Sequence, residues 1–138
     1  MADDLVNIQS IDSTYGAFAA LKDDGSVVTW GHSGYGGDSS DVAEELEDVQ
    51  SIVASYSAFA ALKEDGSVVT WGNDYSGDSS IVANYLVNIE SLTVNNNIFL
   101  ATKADENIII WGGTGSSFGS FDLNIGNATL IESTLPSQ

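Results

Sequence analysis

The sequence predicts an all-β repeat protein, and three observations carry that prediction. Residues 17–31 (AFAALKDDGSVVTWG) recur at 58–72 (AFAALKEDGSVVTWG), with only Asp23 against Glu64 different, and a weaker copy at 98–112 reads IFLATKADENIIIWG. Trp30, Trp71 and Trp111 stand 41 and 40 residues apart, as do Phe18, Phe59 and Phe99. Each copy places β-branched and aromatic residues on both sides of an acidic turn, which is strand composition. A fixed period of this length marks stacked structural units. The 138 residues therefore read as a single repeat domain (1–138), with units at about 5–46, 47–86 and 87–126 and an extra strand at about 127–134.

Within one unit the elements follow in order. The segment around Val49-Gln50-Ser51-Ile52 alternates as a short strand does, with counterparts at 5–11 and 87–93. Ala58 to Lys63 is a second strand, whose alanines imply a close neighbour. Asp65-Gly66 predicts a two-residue hairpin turn with positive φ at both central positions. Ser67 to Gly72 is the third strand. The GDSS segments at 37–40 and 77–80 offer N-cap oxygens for a helix of one or two turns, anchored by Val42 and Leu46 or by Val82 and Leu86. In the third unit the turn reads Glu106-Asn107, and Gly112 to Gly119 replaces GDSS. Asn127 to Thr134 resembles the first strand of a fourth unit, stopped by Pro136. Divergent end units are typical of caps in repeat arrays.

Charge narrows the function classes. Three Lys and no Arg stand against 20 acidic residues, a formal charge of −17, and the lysines (Lys22, Lys63, Lys103) share one repeat position. Nucleic-acid binding needs cations to neutralise phosphates, so no nucleic-acid partner is expected. No apolar run is long enough to span a bilayer as a helix, and no membrane insertion is expected. Met-Ala-Asp-Asp lacks the basic and apolar regions of a signal peptide, which leaves the compartment open and the chain read as soluble. The absence of Cys excludes disulfide frameworks and thiol catalysis.

The pattern seen at 54–72, A-x-x-x-x-F-A-A-L-K-x-D-G-S-V-V-x-W-G, resembles the repeat of the regulator of chromosome condensation family. It looks especially like the acidic prokaryotic-type variants, and is similar to the propeller-type β-lactamase inhibitory proteins. The resemblance spans roughly residues 5–112. It implies that each unit is one blade of a β-propeller, usually seven blades in a ring, and that members bind other proteins on the ring's faces. Some members are nucleotide-exchange factors for a small GTPase. No residue specific to that activity is matched here, so it is not carried over. The family's usual Gly-Gln-Leu-Gly after Trp-Gly is replaced here by Gly-Asp-Ser-Ser. Three blades, each with a short helical connection, are too few for one chain to close a ring, since propellers typically need 4–8.

Most residues with chemical potential have a plainer structural role. Asp23-Asp24-Gly25 and Glu64-Asp65-Gly66 supply clustered oxygens, but lack the spacing of a calcium loop and are explained by a turn. Asp38 and Asp78 are better read as helix caps than as metal ligands. His32 is the only histidine, so any Ser-His-acid triad would have to use it, and Gly31-His32-Ser33-Gly34 lacks nucleophile-elbow spacing. Trp30, Trp71 and Trp111 read as core between blades, with Trp111 in a looser surround. Asn127-Ala128-Thr129 is a weak sequon match. Tyr35, Tyr75 and Phe118 follow the third strands on Gly/Ser-rich loops, where packing does not call for an aromatic. With His32 they are the expected partner-binding residues; no catalytic, cofactor or metal residue is expected. The expectation is a non-enzymatic protein-binding or scaffold module in a homo- or hetero-oligomeric assembly that covers its open blade edges. The alternative is an extracellular adhesive or cation-binding repeat element.

Overall fold

In the computed structural model, residues 5–73, 86–95, 98–112 and 130–132 are described. Each unit forms one antiparallel sheet. Blade 1 comprises β1 (Ile8–Ser13), β2 (Ala17–Lys22) and β3 (Val27–Gly31). Blade 2 comprises β4 (Val49–Ala54), β5 (Ala58–Lys63) and β6 (Val68–Gly72), and blade 3 comprises β7 (Ile89–Asn95), β8 (Ile98–Lys103) and β9 (Ile108–Gly112). In each blade the strands pair in chain order. The register shifts at the same place in all three, between Ile8 and Ser10, Val49 and Ser51, and Ile89 and Ser91. A bulge there interrupts the alternation of the first strand. A last strand, β10 (Leu130–Glu132), runs parallel to β9 at the edge of the third sheet. It joins that sheet instead of opening a fourth unit.

The acidic turns differ from the two-residue expectation. Lys63 N–H donates to Ser67 O at 2.9 Å and Gly66 N–H to Lys63 O at 3.0 Å, so the loop is the three residues Glu64, Asp65 and Gly66. Only Gly66 takes positive φ (85°), as Gly25 does in blade 1 (84°). This is a type I turn closed by a left-handed residue. Asp65 sits before the glycine because its Oδ1 accepts from the Ser67 amide at 2.9 Å and hydroxyl at 2.6 Å. The Ser67 hydroxyl, then its amide, hold the Asp65 carboxyl below its usual range. In blade 3 the equivalent turn is Asp105-Glu106, not Glu106-Asn107, and Glu106 keeps the left-handed conformation (φ 73°) without being glycine.

The helical connection of blade 1 is also tighter than expected. It is a 3-10 helix, Ser40–Glu45, and Ser39 makes no side-chain cap. Asp38 Oδ1 instead accepts from Ser40 N–H at 3.0 Å, while Ser39 Oγ lies 2.9 Å from Thr29 Oγ1. Leu46 and Leu86 are buried where the expectation placed them. Asp78, Val82, Gly113 to Gly119 and the sequon lie outside the described residues.

The core is the pair of seams between successive blades. Ala17, Ala19 and Leu21 of β2 meet Phe59, Ala61, Val69 and Trp71 of blade 2. Ala58, Ala60 and Leu62 of β5 meet Phe99, Ala101, Ile109 and Trp111 of blade 3 in the same way. The alternation of a strand thus gives blades 1 and 2 a forward face rich in small residues, and gives each blade a rear face carrying a stacked Phe–Trp pair. Backbone bonds tie the seams at the turn end. Val49 N–H donates to Gly25 O at 3.0 Å, and Ile89 N–H donates to Gly66 O at 2.9 Å. Both turn glycines are needed for this approach, since a Cβ at Gly25 would lie 3.0 Å from Asp48 Cα and one at Gly66 3.1 Å from Asn88 Cα.

Two tryptophan expectations are corrected. Trp111 is fully buried, so the last blade is not looser around it, whereas Trp30 is only half-buried and is not core. Trp30 belongs to a rear face with no blade behind it among the described residues.

Asp12 is the polar misfit in β1. It holds the repeat position that Val53 fills in blade 2, and burial pushes its carboxyl above the usual range. A carboxyl whose pKa rises on folding disfavours the folded state when ionised, and that penalty fades as pH falls through the raised value. Asp12→Val is therefore expected to stabilise the chain at pH 7 by about 0.5–1 kcal/mol, allowing for screening of a half-exposed group. The gain should shrink in melts run at progressively lower pH through the carboxylate range.

Candidate tyrosine rim

Antiparallel order places the loops after the first and third strands of every blade on one rim, and the acidic turns on the other. The first rim gathers aromatics. Tyr15 stacks on Tyr56 with centroids 4.9 Å apart, across the blade 1–blade 2 seam. Tyr35 meets Tyr15 at 5.6 Å and Tyr56 at 6.2 Å, and His32 stands edge-on to Tyr35 at 5.1 Å. Tyr15 is 70% and Tyr56 51% exposed, so the upper surface of this cluster is open to solvent.

Backbone bonds fix its members. Tyr15 N–H donates to Tyr56 O at 2.8 Å, joining the two loops directly. Thr14 Oγ1 donates to Tyr35 O at 2.8 Å, and His32 N–H donates to Gly16 O at 2.8 Å. The loop after β3 turns as a 3-10 helix, Ser33–Tyr35, begun by His32, whose Nδ1 accepts from Gly34 N–H at 2.9 Å. Gly16 makes room for Tyr35, because a Cβ there would lie 2.9 Å from the ring. The Tyr56 phenol is pushed above its usual value by desolvation first and by the neighbouring Tyr15 and Tyr35 phenols second. Its hydroxyl therefore stays neutral and free to donate at physiological pH.

Two of the expected site residues, Tyr35 and His32, thus come together, and Tyr35 is a half-buried buttress more than a contact. Tyr75 and Phe118 lie outside the described residues. Sequence reading missed Tyr15 and Tyr56, although both stand two residues before the Ala-Phe-Ala-Ala strand of their units. That shared position was the available signal.

The opposite rim carries the acidic turns, with Lys22 and Lys63 at the ends of β2 and β5 just before them. A groove there is lined by Asp23, Asp24, Asp48 and Glu64. Among the described residues, no three His, Asp or Glu side chains gather as a metal ion would require. No helix among them is long and apolar enough to cross a membrane.

The family model for the Regulator of chromosome condensation (RCC1) repeat matches residues 49–78. No curated protein matches the chain. Among solved structures, human WBSCR16 is similar with a TM-score of 0.58 at 16% identity, over 94% of this chain and 37% of that one. The ectodomain of the receptor kinase CR4 from Physcomitrella patens has a TM-score of 0.57 at 16% identity, over 78% and 30%. Yeast RCC1 (Prp20), solved bound to Kap60, has a TM-score of 0.53 at 17% identity, over 76% and 29%. The chain spans about a third of the length of these structures, and the likeness is one of fold.

Proposed function

We propose that this chain, a run of RCC1-type blades, is a non-enzymatic protein-binding module whose contact surface is the tyrosine rim. The observation that carries the reading is the open Tyr15–Tyr56 stack, held by backbone bonds across a rigid seam. Tyrosine supplies large contact area at small entropic cost, and exposed aromatics on a fixed scaffold are typical interface anchors. Tyr35 packs against both rings of the stack and His32 packs edge-on against Tyr35, and Tyr75 and Phe118 belong to the same proposal as loop residues of the following blades. The charge of −17 favours a partner with a basic face, which a tyrosine surface also suits through cation–π contact. The module acts within an oligomeric assembly that covers its open blade edge.

Changing Tyr15 and Tyr56 together to Ala is expected to leave stability within about 1 kcal/mol. Partner capture from the native source should nevertheless fall at least about 10-fold, the equivalent of about 1.4 kcal/mol. Unchanged capture alongside lost stability would reduce the cluster to loop packing. The alternative is an adhesive or cation-binding repeat element, which a rise in melting temperature with added calcium would favour.

A further inference from the structure

The two ends of the blade row are not equivalent. At each large rear-face position, blades 2 and 3 bury a residue that blade 1 leaves at least partly open, while the small Ala20 is enclosed as Ala61 and Ala101 are. Phe18 is 43% exposed against 0% for Phe59 and Phe99, and Ile11 is 55% exposed against 6% for Ile52 and 9% for Leu92. Even so, Phe18 and Trp30 stack at 5.4 Å and 18°, matching Phe59–Trp71 (5.2 Å, 22°) and Phe99–Trp111 (5.4 Å, 22°). Blade 1 thus keeps the whole aromatic face that its successors use in a seam.

Blade 3 departs on its forward face at every position a following blade would need. Ile98 and Leu100 stand where blades 1 and 2 have alanines (Ala17 and Ala58, Ala19 and Ala60), and Thr102 stands where they have Leu21 and Leu62. Glu106 replaces the turn glycine, although the equivalent Cβ in blades 1 and 2 would press on the backbone of the next blade. Ile108 and Ile110, on the same face, are already 6% and 1% exposed. Blade 3 ends the row.

We propose that the Phe18–Trp30 face of blade 1 is the docking surface for a preceding blade that is none of this chain's three. Its occupant carries an Ala-x-Ala-x-Leu second strand and a turn glycine, because that is what covers the same face in both internal seams. The glycine carbonyl would receive Ile8 N–H, as Gly25 and Gly66 receive Val49 and Ile89. A second copy of this chain does not fit as the donor. Its Ala17, Ala19 and Leu21 and its Ala58, Ala60 and Leu62 are enclosed in its own seams, and its blade 3 presents Ile98 and Leu100 instead. The inference rests on the assembly part of the proposed function and names the partner's chemistry.

The probe is a second copy of residues 5–45 joined directly ahead of Leu5, which reproduces the natural passage from Glu45 to Leu46. The lengthened chain is expected to melt at least about 5 °C higher, the shift of roughly one to two blade-seam contacts. In it, Phe18→Ser should lower the melting temperature as much as Phe59→Ser does in the natural chain, and by less than half as much in the natural chain itself. No rise on lengthening, or an equal loss from Phe18→Ser in both chains, overturns the proposal. Sedimentation of the natural chain supplies the other arm. An oligomer dissolved by Leu100→Ser would make blade 3 of a second copy the occupant, and one dissolved by Phe18→Ser alone would mean blade 1 pairs with itself; either overturns it. Failure here with Tyr15 and Tyr56 still required for capture would leave the tyrosine rim standing.

Discussion

Replacing Trp71 with Ala is expected to cost about 3–5 kcal/mol, the range for emptying a large aromatic site in a core. The ring stacks on Phe59, faces Ala17, Ala19 and Leu21 across the seam, and donates from Nε1 to Gly36 O at 3.1 Å. The substitution therefore removes packing and leaves a buried carbonyl without its donor. Trp111→Ala should cost the packing part of that loss and so somewhat less, because Trp111 is fully enclosed but its Nε1 has no hydrogen-bond partner among the described residues. Trp30→Ala should cost only about 1–2 kcal/mol, since its stack with Phe18 is half in water and forfeits less. Urea unfolding of the three variants, compared at constant m-value, checks the order. Equal losses at Trp30 and Trp71 would show that the first rear face is already covered.

Gly72→Ala is the second large effect. Gly72 ends β6 with φ 118°, a conformation that L side chains rarely adopt. A Cβ there would lie 2.7 Å from Ala58 Cα and 2.8 Å from Ser57 O, both backbone atoms of the paired strand. Side chains can swing away from such a contact, but a strand cannot without breaking its ladder. Backbone strain of roughly 1–3 kcal/mol and overpacking of roughly 1–3 kcal/mol give an expected loss of about 4 kcal/mol. The same urea experiment reads it. A loss under about 1 kcal/mol would mean that the Trp-Gly ending is not a steric requirement.

These residues also show what could be read before the structure. The three strands of each blade were visible because Phe, Trp and the β-branched residues recur at one period, and pairing then follows chain order. Nothing in the turn sequence separates two loop residues from three. Both forms want Asp-Gly, and blade 3 makes the three-residue turn even with Glu106 in place of the glycine. The 3-10 helix at Ser40–Glu45 carries the cap signal of an α-helix, but Ser39 is drawn to Thr29 instead. The partial exposure of Trp30 is not written in its own unit, which is nearly identical to the next; it depends on which blade has a neighbour behind it. The tyrosine rim was half legible. Tyr35 and His32 stood out on a glycine-rich loop, whereas Tyr15 and Tyr56 become a pair only when two loops some 40 residues apart meet across a seam.

The pairing of strands in chain order within each blade has a kinetic consequence. Each three-stranded sheet closes through short loops, so its contacts form early and locally, and only the seams demand ordering between distant segments. The chain can therefore assemble blade by blade, with each seam as a separate step. Near-identity of 17–31 and 58–72 makes that sequence of steps vulnerable, because one hairpin can occupy the other's seat with no loss of its own pairing. Misassembly of this kind is a known hazard of repeat proteins. What distinguishes the two seats lies mainly outside the duplicated stretch: Asp12 against Val53, Thr14 against Ser55, Gly16 against Ser57, and the left-handed Asn7 against Asp48. The loops that build the tyrosine rim thus also keep the folding register.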